Sequence, residues 1–231
     1  MRVKRTGVAA LLTVPALLLT ACSGGPSGRA GENKGGASSA AAFAPLEKAA
    51  LERSDLPGYQ VSKEGKDPSA PDGQPRADKK ECQPLADIMG DQPDPAARAT
   101  VNRGLGSQKQ LGLAISASLS SYDEPAAKKV ISRLESAVAV CGSGFTATVQ
   151  KQTGTYTAVR ATDFDVAGDE SVSYTLSASA QGVSAPLHLV IVRQKSTIVR
   201  LMAIDVAAKQ KPRVPHEVAD KQLAKVSRTL G

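Results

Sequence analysis

The chemistry available to this 231-residue chain starts from few residues: three Cys, two His and no Trp. Its densest group of metal-competent oxygens is Asp163, Asp165, Asp169 and Glu170, four carboxylates around Gly168. Hard oxygens of this kind suit calcium. The spacing departs from a calcium-binding loop, however: Ala167 stands where Asp or Asn is needed, and no Glu closes the run. The expectation is a solvated turn, with no metal and no cofactor. Nucleophile signatures are equally thin. Gly142-Ser143-Gly144 lacks the spacing of a nucleophile elbow. Gly104-Leu105-Gly106 lacks the third glycine of a dinucleotide loop. His188 falls in a strand pattern and His216 at a helix start, so neither is placed by sequence beside a Cys or Ser as its base. No catalytic residue is expected.

Cys22 suggests a different chemistry. The chain opens with Arg2, Lys4 and Arg5, then runs apolar from residue 8 to 20 apart from Thr13 and Thr20. As a helix, thirteen residues rise only about 20 Å, short of a hydrocarbon core of about 30 Å. A short apolar run with a basic flank reads as an export signal. It ends in Leu19-Thr20-Ala21-Cys22, which resembles the lipobox of bacterial lipoproteins: an aliphatic residue, two small ones, then Cys. The resemblance implies cleavage after residue 21, a diacylglyceryl thioether on Cys22, and palmitate-type acyl chains as the anchor in the cell membrane. Residues 23–42 follow, fifteen of the twenty being Gly, Ser or Ala. With nothing bulky to bury, residues 22–42 read as a lipidated Cys and a flexible linker. The domain proper is expected over residues 43–231.

In an oxidising compartment the two remaining thiols, Cys82 and Cys141, read as a disulfide. Closing a loop of about 60 residues, such a bridge would contribute roughly 4 kcal/mol in the chain-entropy account.

Residues 45–53 predict a short helix with Pro45 in its first turn, and residues 84–89 a second one stopped by Gly90. Residues 62–80, rich in Lys, Asp, Pro and Gly, read as an exposed loop. The clearest strand is 111–120: Leu111, Leu113, Ile115, Ala117 and Leu119 take one face, while Gly112, Ala114, Ser116, Ser118 and Ser120 take the other. So small a second face either lets a helix pack closely or leaves space for a ligand. The clearest helix is 125–140, with Ala127, Val130, Ile131, Leu134 and Val138 on one stripe, Asp123 as its cap and Cys141 at its end. From Phe145 onward short-range alternation predicts strands to residue 204, and residues 215–230 a final helix with Ala219, Leu223, Val226 and Leu230 inward. Short connections imply antiparallel pairing. The expected class is α+β, one antiparallel sheet with helices packed against it.

The formal charge is +7, and +4 without the three basic residues of the signal. Residues 193–231 hold nine Lys or Arg against three acids. Lys221, Lys225 and Arg228 on the final helix are therefore candidates to contact anionic lipid or cell-wall polymer. Nucleic acid is not an expected partner, because seven aromatics in all offer no stacking platform.

Several features together resemble a group of actinobacterial extracytoplasmic domains. These occur as lipoproteins and as the extracellular sensor domains of PknH-type receptor Ser/Thr kinases. They are Asp55-Leu56-Pro57-Gly58 after the first helix, Cys82 before a short helix, the strand–helix pair ending in Cys141, Gly168-Asp169-Glu170-Ser171 before a hairpin, and Val190-Ile191-Val192-Arg193 turning into Ile198-Val199-Arg200-Leu201. Relatives often carry a second disulfide, for which this chain has no cysteines. The resemblance implies a sheet-and-helix sandwich with a cleft, sensing or binding without catalysis. The first functional expectation is thus a lipid-anchored, non-enzymatic binding or sensor module on the outer face of the cell membrane, with an unknown protein or small-molecule ligand. The alternative is a carrier of lipid or another apolar molecule, and an envelope hydrolase stands behind both.

Overall fold

The computed structural model describes residues 34–67, 70–90, 94–180, 182–207 and 210–231. Cys22, the signal region and most of the linker lie outside them. Four helices are formed, α1 (Lys34–Ala49), α2 (Gln83–Asp87), α3 (Glu124–Val140) and α4 (His216–Leu230). Nine strands accompany them: β1 (Tyr59–Glu64), β2 (Arg76–Ala77), β3 (Ala99–Ser107), β4 (Leu113–Ser121), β5 (Phe145–Val149), β6 (Gln152–Ala161), β7 (Glu170–Ala180), β8 (Val183–Gln194) and β9 (Thr197–Asp205). They form one antiparallel sheet in the order β1-β3-β4-β9-β8-β7-β6-β5-β2. The class is α+β.

Each half of the long sheet buries a different face. Under α1 and α4, Leu46, Leu51 and Leu56 meet Val101, Leu105, Ile115, Leu119, Val199 and Leu201 of the central strands and Val218, Leu223 and Val226 of α4. Under α2 and α3, Leu85, Ile131 and Leu134 meet Phe145, Val172, Tyr174, Leu189 and Ile191. Fully burying each Leu or Ile stabilises by about 1.5–3 kcal/mol. Helix α3 is capped by Asp123, whose Oδ1 accepts from the Ala126 N–H at 2.8 Å. Cys141 follows it and is bonded to Cys82, with Cα atoms 5.9 Å apart. The bridge ties the end of α3 to the start of α2. At Gly144 the chain turns with φ +91°, and a Cβ there would lie 2.3 Å from the Tyr156 carbonyl oxygen. Only glycine fits that turn.

Three expectations are corrected. Helix α1 starts at Lys34, so the last nine residues of the segment read as linker are helical and Pro45 lies inside the helix. The run Ala37–Ala44 has one bulky residue, Phe43, and is rich in Ala, the strongest helix former. Its far end is closed from a distance: Gln222 Nε2 donates to the Ala49 carbonyl at 2.8 Å, and Leu51 N–H donates to Gln222 Oε1 at 3.2 Å. Second, residues 62–64 belong to β1, an edge strand paired along β3. Third, the sequence pattern did not mark β3 at all. Its inward row, Val101-x-Arg103-x-Leu105, is broken by a charge, yet Arg103 is buried. The guanidinium donates to the Leu51 carbonyl at 3.0 Å and to Glu47 Oε1 at 2.8 Å, contacts separated by more than fifty residues in sequence.

Candidate functional site

Helix α3 lies over β6 to β9. It leaves the same face of β1, β3, β4 and part of β9 uncovered, and the strand register sets out what is exposed there. Thr100 stands across from Ser120, and Ser120 from Ile198; Asn102 from Ser118, and Ser118 from Arg200. The next row is Gly104, Ser116 and Met202, and the last is Gly106, Ala114 and Ile204. Because side chains alternate, these four rows share one face of the sheet. They floor a groove with two chambers. The first two rows line a cavity of about 350 Å³, walled by Ile88 and Gly90 after α2 and by Lys66 and Asp67 after β1. The last two line an open cavity of about 820 Å³, bordered by Gln60, Ser62 and Glu64 of β1 and by Val206. Ser116 belongs to the second and reaches into the first through its bonds.

Arg200 holds the narrow chamber together. It is buried in mid-strand. Its Nη1 donates to the Ile88 carbonyl at 2.9 Å, and its Nη2 donates to Ser118 Oγ at 2.8 Å and Ser116 Oγ at 3.1 Å. Nη2 also forms an ion pair with the buried Asp67 carboxylate. Ser116 donates to Asp67 Oδ1 at 2.7 Å, and Ser118 to Asn102 Oδ1 at 2.7 Å. Burial draws the guanidinium down to about 10, so it stays charged at neutral pH. Lys66 at the rim pairs with Asp72 at 2.5 Å. The charges nearest the chamber are thus compensated within the chain.

The small face of β4 therefore does not serve helix packing; it gives the Arg200 head and the groove their room. Gly104 and Gly106, weak as a dinucleotide signature, belong to the same floor. No sequence motif marks Arg200. It is read from the strand only as one charge in an otherwise apolar run.

The other candidate residues separate. Asp169 and Glu170 are held by Arg193: its Nη1 donates to Asp169 Oδ2 at 2.9 Å and its Nε to Glu170 Oε2 at 2.5 Å, while Lys195 N–H donates to Asp169 at 2.6 Å. Asp163 and Asp165 are exposed and lie outside this arrangement. The acidic run clamps the β7 and β8 ends, and no metal-ligand group forms among the described residues. On α4, Lys225 is half-buried and paired with Asp55 at 2.6 Å, so its charge supports the turn after α1. Lys221 and Arg228 remain exposed.

One Ser–His contact bears on hydrolysis. Ser173 Oγ lies 3.1 Å from His188 Nε2, and Thr162 Oγ1 lies 3.3 Å from it. On the other side of the ring, Nδ1 accepts from the Val214 N–H at 2.9 Å. A neutral imidazole that accepts at Nδ1 carries its proton on Nε2. The nitrogen facing Ser173 is then a donor, the wrong tautomer for a serine-activating base. Burial, with the positive charges of Arg213 and His216 adding to it, pulls the ring down to about 4. The cluster fastens the segment entering α4.

No protein-family model and no curated protein sequence matches this chain. Among the solved structures similar to it are two mycobacterial proteins. The extracellular domain of PknH from Mycobacterium tuberculosis superimposes with a TM-score of 0.50 at 9% identity, over 80% of this chain and 94% of that one. The Rv0999 ortholog from Mycobacterium smegmatis does so with a TM-score of 0.45 at 14% identity, over 80% and 96%. What the chain shares with the PknH extracellular domain, at that identity, is the fold.

Proposed function

We propose that this protein is a non-enzymatic binding module of the cell envelope, held at the extracytoplasmic face by lipid on Cys22, and that the two-chambered groove is its ligand site. The groove carries this reading. A concave site of several hundred Å³, with fixed polar groups in its narrow chamber and an apolar floor in its open one, has the size and mixed lining of a small-molecule site. The wrong tautomer at His188 speaks against the Ser173–His188 pair acting in hydrolysis. The fold shared with the extracellular domain of PknH supports a place outside the cytoplasm, as does the disulfide.

Membrane fractionation of the full chain and of Cys22→Ala tests the anchor. The wild type should partition with membranes and the variant should leave them; equal partitioning overturns it. Native mass spectrometry of protein from its own membranes tests the groove. A co-purifying mass retained by wild type and lost from Gly106→Leu supports it, and a mass unaffected by that substitution refutes it.

A further inference from the structure

The groove has a polarity gradient along the strands. Read in register, its rows run Thr100–Ser120–Ile198, Asn102–Ser118–Arg200, Gly104–Ser116–Met202 and Gly106–Ala114–Ile204. Hydroxyl and amide groups crowd the floor at one end; at the other the floor is Gly106, Ala114, Met202 and Ile204, with Ser116 at its inner limit and the polar Gln60, Ser62 and Glu64 confined to the β1 rim. At about 3.3 Å per residue the four rows extend the floor over about 20 Å. That is long and narrow, a shape for a chain and not for a compact ring. The apolar end continues to Val206, which is 71% exposed. Gly106 leaves the space open: a Cβ there would meet nothing within 4 Å, and its backbone is not in the left-handed region.

The polar end specifies the head. Arg200 is already matched by the buried Asp67, so a second anion at that guanidinium would have to displace a buried carboxylate, and Lys66 at the rim pairs with the exposed Asp72. The free capacity of this end is for hydrogen bonds. The buried Nε of Arg200 has no hydrogen-bond partner among the described residues, and Arg200 lines this chamber. The same chamber is lined by the hydroxyls of Thr100 and Ser120, bonded to each other at 2.8 Å, of Ser118, which donates to Asn102, and of Tyr122, and a hydroxyl oxygen with two lone pairs can accept a further bond.

Building on the groove as ligand site, we infer that it takes an amphiphile with a single acyl chain and an uncharged, hydroxyl-bearing head, of the monoacylglycerol kind. The chain lies over Gly106, Ala114, Met202 and Ile204, and the head hydroxyls face Asn102, Ser118 and Arg200.

The test is photolabelling of the full chain in its membrane with monopalmitoylglycerol carrying a diazirine in the acyl chain, followed by peptide mapping. Adducts should fall on peptides containing residues 104–116 and 202–206. They should be competed by unlabelled monopalmitoylglycerol, and shortening the competitor should weaken it about two- to fourfold per methylene. Gly106→Leu and Ala114→Leu, each checked by circular dichroism, should cut labelling at least tenfold. A palmitate probe with the same diazirine should label at least tenfold less. Labelling elsewhere, labelling indifferent to both substitutions, or palmitate labelling as strong as monoacylglycerol overturns the inference. If the mass lost from Gly106→Leu in native spectrometry has no acyl chain, the ligand class falls while the groove stands.

Discussion

Acid should unfold this protein earlier than its carboxylates alone require, because of one imidazole. His188 is fully buried, its Nδ1 occupied by the Val214 N–H and its Nε2 facing Ser173 and Thr162. A second ring proton would have to sit on Nδ1, against a donor that already fills that position. Burial, followed by the charges of Arg213 and His216, holds the folded value near 4, against an ordinary value of 6.5. Between these values the unfolded chain binds the proton and the folded chain does not. Stability is therefore greatest above pH 6.5 and falls as pH drops through the window, by up to ~1.4 kcal/mol per pH unit and ~3 kcal/mol in all. For a domain of this size that is a melting-temperature loss of about 6–12 °C. The control is His188→Asn, whose side-chain oxygen keeps an acceptor near the Val214 N–H while removing the titration. Urea unfolding of both proteins at half-unit steps from pH 7.5 to 4 provides the measurement. The variant should be less stable at pH 7.5, having lost part of a buried ring, and the gap should close by about 3 kcal/mol towards pH 4. Carboxylates contribute equally to both curves, so parallel curves across the window would refute the argument.

Three further outcomes follow from the geometry. Replacing both Cys82 and Cys141 by Ala should lower stability by about 3–4 kcal/mol in denaturant titration, through the freedom returned to the unfolded chain; a loss below 1 kcal/mol contradicts this. Asp67→Asn leaves the buried Arg200 without its counter-charge and should cost about 3–5 kcal/mol, whereas Asp67→Asn with Arg200→Met should recover much of that loss in a double-mutant cycle. Additive losses would show that the pair does not act as a unit. Millimolar calcium should leave the melting temperature unchanged, since Arg193 holds Asp169 and Glu170; a calcium-dependent rise of several degrees would refute that.

What could be read from sequence was whatever is decided locally. The alternation in β4, the stripe and cap of α3 and the hairpins from β5 to β9 are patterns of two to four residues, and the structure follows them, except that β4 begins at Leu113: Gly112 turns with φ +97° and Leu111, read as inward, is 84% exposed. The parts that escaped are decided at long range. Strand β3 carries a buried Arg103 that makes sense only beside Glu47 and Leu51. The groove is a relation between rows of three strands, and it becomes visible only when Asn102, Ser118 and Arg200 are in register. Lys225 looked like one more solvated charge on α4 until Asp55 was found beside it. The start of α1 behaves similarly: Ala-rich sequence fits both linker and helix, and it is the other end of the helix, Leu46 and Ala49, that is anchored in the core.

The shared core of α1 and α4 also bears on how the molecule is assembled. Leu46, Leu51 and Leu56 find their cover on Val218, Leu223 and Val226, and β4 pairs along its whole length with β9. The core under α1 is therefore complete only when Thr197–Asp205 and His216–Leu230 join Val101, Leu105, Ile115 and Leu119. Contacts so distant in sequence make for slow condensation. The α1–α4 side of the sheet therefore closes late, whereas the side under α2 and α3 draws mainly on residues 82–191 and has most of its partners sooner.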